Sequence, residues 1–105
     1  MSKRLAVLES MIQKGSKDPF AWYALAMEYA GADRIDDALR TFTSLRDMDP
    51  TYVPQYLMCG QMLVKAGRVD AGRAWLEEGV TRARAKGDSH ALSEIQSALS
   101  ALDDD

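Results

Sequence analysis

The chain has 105 residues and a formal net charge of -3, from 13 Lys and Arg against 16 Asp and Glu. That leaves room for one domain with a modest core and no basic excess to coat a nucleic acid backbone. Val, Ile and Thr are sparse beside Ala, Leu, Met, Arg and Glu, a balance that favours helices over sheets.

The first predicted element is an amphipathic helix over residues 3–14, with Leu5, Leu8, Met11 and Ile12 on its apolar face and Arg4, Glu9, Gln13 and Lys14 left for solvent. Its apolar run is stopped by Glu9 and Ser10, so it does not read as a secretory signal. Gly15 ends the helix, and Ser16 to Pro19 form a turn.

A second helix is expected over 20–30, a turn at Gly-Ala-Asp-Arg, and a third helix over 36–48. Asp36 and Asp37 stand at the positive end of the third helix, where acidic side chains are favoured. A fourth helix over 53–65 takes Pro54 in its first turn, where the missing amide hydrogen is no loss. After a turn at Gly67, a fifth helix over 70–85 runs on to Lys86. Arg82, Arg84 and Lys86 then complement the negative end of that helix.

Gly72 and Gly79 each cost a helix about 1 kcal/mol relative to Ala, so both are expected to mark close contacts. Gly72 should meet Gly60, and Gly79 should receive the last helix through Leu92 or Ile95. That last helix, over 88–102, is capped by Asp88 or Ser89 and carries the stripe Leu92, Ile95, Leu99 and Leu102. The acidic tail 103–105 is expected to fray into solvent.

The chain repeats itself. Adding 34 to Trp22, Leu25, Ala26, Tyr29, Asp33, Ile35, Ala38 and Phe42 gives Tyr56, Cys59, Gly60, Leu63, Gly67, Val69, Gly72 and Leu76 without a gap. Small residues recur at the two places where antiparallel helices must approach closely, Ala26 and Ala38 in one copy, Gly60 and Gly72 in the next.

The positions Trp22, Leu25, Ala26, Tyr29, Ala38, Phe42 and Pro50 carry a pattern that resembles the tetratricopeptide repeat family. The resemblance implies an all-α fold, a right-handed α-solenoid of antiparallel helix hairpins with six helices. Two full repeats, 19–52 and 53–86, would be flanked by the N-terminal helix, as the second half of a truncated repeat, and by the capping helix 88–102. The first turn departs from the family, since its glycine usually stands where Asp33 is, and Asp33 is therefore expected in a left-handed conformation.

No catalytic or metal motif is present, and the chain has one His and one Cys. Catalysis, a metal and a cofactor are therefore not expected. Cys59 falls on a buried stripe and has no partner for an internal disulfide, and His90 falls on the surface. No stretch approaches the roughly 20 apolar residues that cross a bilayer, and a soluble, cytoplasmic protein is expected. Six methionines are present, of which Met62 faces neighbouring helices and Met27 and Met58 do not.

In the family, the inner face of the first helix of each repeat lines a concave groove that takes an extended peptide or a helix. Carried onto this chain, that face holds Phe20, Tyr23, Met27 and Ala30, then Leu57, Met58, Gln61 and Lys65, then His90, Ser93, Glu94 and Ser97. The Lys, Arg and Asn residues with which some relatives clamp a terminal carboxylate are not matched. The matching places hold Tyr23, Met27, Met58, His90 and Glu94. The resemblance thus implies a non-catalytic protein interaction module whose groove binds an apolar peptide or helix. Two other readings remain beside it: homo-oligomerisation that buries the patch of Tyr23, Met27, Leu57 and Met58, or a place as accessory subunit in an enzyme assembly.

Overall fold

A computed structural model of the chain describes residues 3–104. The described residues form six helices and no strand: α1 (Lys3–Gln13), α2 (Pro19–Gly31), α3 (Ile35–Met48), α4 (Pro54–Lys65), α5 (Val69–Lys86) and α6 (Ser89–Leu102). The chain divides between Pro50 and Thr51 into two compact units, α1 to α3 and α4 to α6. It is an all-α helical repeat.

In the first unit, Leu5 and Leu8 of α1 are buried against Ala24 and Leu25 of α2, with Ile12 and Tyr29 packed at the edge. Two expectations for α1 need correction. Met11 does not join this face and is 40% exposed, next to Val7 at 59%. Leu5, Leu8 and Ile12 already supply an i, i+3, i+7 stripe toward α2, and a residue adjacent to Ile12 lies about 100° round the helix from it. Nor is Glu9 left to solvent, because its carboxylate accepts a 2.6 Å hydrogen bond from the Tyr29 hydroxyl. An ion pair of 3.2 Å between Arg4 and Glu28 also joins α1 to α2.

The α2–α3 hairpin begins with Asp18, whose side chain accepts from the amide of Phe20 at 3.0 Å while Pro19 opens the helix. The Trp22 indole donates to the Ser16 carbonyl at 2.9 Å and so fixes the preceding turn. Ala26, Ala38, Phe42 and Leu45 have no exposed surface. Small residues at Ala26 and Ala38 let the two backbones approach, and each fully buried Phe or Leu contributes about 1.5–3 kcal/mol by leaving water.

The turn into α3 holds Asp33 at φ 61°. The Asp33 amide donates to the Ala30 carbonyl at 3.1 Å and the Arg34 amide to the Tyr29 carbonyl at 2.9 Å. Thirty-four positions on, Gly67 has φ 84°, with the Gly67 amide on Val64 at 3.0 Å and the Arg68 amide on Leu63 at 2.8 Å. Both turns close a helix through the same pair of bonds around one left-handed residue.

In the second unit α4 and α5 form a hairpin, and α6 packs on both. Val53, Leu76, Ala83 and Ile95 make the buried cluster, with Leu57, Val80, Leu92, Leu99 and Leu102 packed against it. Tyr56, Cys59 and Leu63 have no exposed surface. The helix glycines are contact points: a Cβ at Gly72 would stand 2.8 Å from the Gly60 carbonyl oxygen, and one at Gly79 would stand 2.6 Å from the Tyr56 Cβ and 3.1 Å from the Ile95 Cδ1. Ile95 is therefore the α6 residue that Gly79 receives, and Tyr56 of α4 comes closer still.

The ends of this unit are tied down. Asp88 caps α6 by accepting from the Ala91 amide at 3.1 Å, and the Lys86 ammonium donates to the Thr51 carbonyl at 3.0 Å. Of the acidic tail, Asp103 is largely exposed and pairs with Arg73 at 3.0 Å. Asp105 lies outside the described residues.

Candidate functional site

The fold leaves one side of α4 against α5 and turns another toward α6. Gly60 of α4 stands against Leu76 and Gly72 of α5, and Cys59 and Leu63 are buried, whereas Leu57 is half-buried and Gln61 exposed. On α6, Ile95 is buried while Ser93, Glu94 and Ser97 stay exposed. Between these two helices runs an open cleft of about 410 Å³ lined by Leu57, Gln61, His90, Ser93, Glu94, Ser97 and Ala98. At its edge the His90 Nε2 lies 2.9 Å from the Glu94 Oε1, one helical turn apart.

Six of the residues anticipated from the sequence thus line one cleft. Met58 and Lys65 of α4 are not among its lining; Met58 is half-buried and Lys65 exposed. Phe20, Tyr23, Met27 and Ala30 belong to α2 in the first unit. There Phe20 is 60% exposed, Tyr23 leans edge-on against the ring of Phe42 with centroids 6.4 Å apart, and Met27 and Ala30 are half-buried. Ala98 was missed, although it stands one turn beyond Glu94 on the same face of α6.

The perturbed ionisations belong to the first unit. Burial, reinforced by the hydrogen bond to Glu9, pushes the Tyr29 hydroxyl from 10.0 up to about 12. Arg34 stacks over the same ring at 4.6 Å and bonds Asp37 at 2.9 Å. That contact, with a second from Arg40, lowers the Asp37 carboxyl below its usual range. Among the described residues no group of three His, Cys, Asp or Glu side chains could hold a metal ion. No helix among them is long and apolar enough to cross a membrane.

A comparison with protein-family models finds no match, and a comparison with curated proteins finds none. Among solved structures, the chain is similar to a Bordetella parapertussis protein known from a solution structure. The two are 28% identical, with a TM-score of 0.83 over 97% of this chain and 89% of that one. It is also similar to a tetratricopeptide repeat domain protein of Salinibacter ruber, at 36% identity. The crystal structure of that protein gives a TM-score of 0.71 over 78% of this chain and 92% of that one. Its solution NMR structure gives 0.73 over 78% and 83%. Taken with the 34-residue register and the matching helix turns, these likenesses show that the chain belongs to the tetratricopeptide repeat family, a helical repeat generally used for protein–protein interaction.

Proposed function

We propose that the chain is a non-catalytic interaction module that binds an extended peptide segment in the cleft between α4 and α6. The observation that carries this reading is the cleft itself, about 410 Å³ with Leu57 and Ala98 as apolar surface and Gln61, Ser93 and Ser97 as hydrogen-bonding groups. A peptide needs both kinds of surface, apolar area to leave water and polar groups to satisfy its backbone. The exposed Phe20 and half-buried Met27 of α2 offer a second apolar surface for the same class of partner.

A random heptapeptide library displayed on phage and selected on the immobilised full chain tests the proposal. Clones should be enriched, and Ser97→Trp, which fills the cleft from an exposed position without touching the core, should reduce their binding at least about tenfold, or 1.4 kcal/mol. Clones that bind Ser97→Trp equally well would place recognition elsewhere. Light scattering over a concentration series separates the competing possibility: dimers that dissociate on Ser97→Trp would make a second copy the occupant.

A further inference from the structure

We infer that the α4–α6 cleft selects segments carrying a cationic side chain, lysine or arginine, which pairs with Glu94; this rests on the cleft being the peptide site. Glu94 is the sole carboxylate among the described residues that line the cleft. The sequence of α4 adds no acidic residue to it, and α6 carries no Lys or Arg to neutralise it. The one basic residue of α4, Lys65, is not among the lining.

The carboxylate keeps capacity for a ligand. His90 engages its Oε1 at 2.9 Å, and the Glu94 side chain remains 50% exposed. A carboxylate has two oxygens and about four lone-pair directions, so one imidazole contact does not exhaust it. The surroundings suit the rest of a long cationic side chain, since Leu57 and Ala98 supply apolar surface for an aliphatic stem. An arginine fork meets a carboxylate with two parallel bonds and should be preferred over lysine. Peptides with acidic residues at the same place would face an uncompensated like charge.

The test is the same heptapeptide library selected in parallel on the full chain, Glu94→Gln and Glu94→Lys. Glu94 is exposed enough that neither change disturbs the core. On the unchanged chain, lysine and arginine should be enriched about threefold or more at one position, the scale of a partly exposed ion pair. Glu94→Gln should abolish that preference and Glu94→Lys should turn it toward Asp and Glu. Binding of the basic clones should also weaken with added salt on the unchanged chain and lose most of that dependence on Glu94→Gln. Clones that need the cleft, as judged by Ser97→Trp, yet show no basic preference would overturn the inference and leave the peptide site standing. A basic preference that survives Glu94→Gln would overturn it too. Failure to enrich any cleft-dependent clone would overturn the peptide site, and the inference with it.

Discussion

The Cα of Gly72 sits so close to Gly60 that a methyl group there would stand 2.8 Å from the Gly60 carbonyl oxygen and 3.1 Å from the Val64 amide nitrogen. These are backbone atoms and cannot swing aside as a side chain could. Gly72→Ala should therefore lower stability by about 1–3 kcal/mol, even though Ala favours a helix by about 1 kcal/mol. In a thermal melt this is a fall of roughly 4–8 °C for each kcal/mol. A variant that melts higher than the parent would refute the close crossing.

Gly79 and Gly31 make a matched pair. A Cβ at Gly79 meets the Tyr56 Cβ at 2.6 Å, the rigid root of a side chain with no exposed surface, whereas one at Gly31 meets nothing within 4 Å. Gly79→Ala should destabilise by about 1–3 kcal/mol. Gly31→Ala, at the last position of α2, should be neutral or stabilise by up to about 1 kcal/mol. Chemical denaturation of both variants checks the contrast.

Asp33 occupies the left-handed turn position that Gly67 fills in the second hairpin. Asp33→Gly should raise stability by about 0.5 kcal/mol, because relief of the left-handed strain exceeds the added freedom of the unfolded chain. Asp33→Val, with a branched side chain in the same conformation, should cost about 1–2 kcal/mol. Urea midpoints ordered Gly, Asp, Val from high to low are the expected result.

Burial of the Tyr29 hydroxyl, reinforced by its bond to Glu9, gives a pH signature. Together they push it from 10.0 up to about 12, so the unfolded chain releases that proton first. The stabilisation is complete below pH 10 and is lost as pH rises toward 12. Tyr29→Phe should cost about 1 kcal/mol below pH 10, and the gap from the parent should narrow between pH 10 and 12. Difference titration of tyrosinate absorbance against Tyr29→Phe should assign the late-titrating component to Tyr29.

The fold was legible because its repeat is written in side-chain size. Trp22, Ala26, Ala38 and Phe42 map onto Tyr56, Gly60, Gly72 and Leu76 at one fixed spacing, and those sizes encode helix crossings directly. The left-handed Asp33 was legible for the same reason, by its register with Gly67. Contacts between helices that depend on rotation by one residue were not. Met11 and Ile12 are neighbours with equal claim to an apolar face, and only the direction of α2 decides between them. The Glu9–Tyr29 bond spans 20 residues, and no local pattern announces it. For the cleft, the resemblance to the family grouped Ser93, Glu94 and Ser97 on α6 with Leu57 and Gln61 on α4, a grouping that spacing along either helix alone does not supply. Ala98 escaped because a small apolar residue on a polar face carries no signal of its own.

Partners that enter between α4 and α6 should be visible there by amide chemical-shift mapping. A heptapeptide selected on the full chain, titrated to saturation, should shift the amides of Leu57, Gln61, Ser93, Glu94 and Ser97 together with one affinity, and Ser97→Trp should erase those shifts. Saturable shifts confined to α3 or to the solvent face of α5, with the cleft amides unmoved, would contradict it.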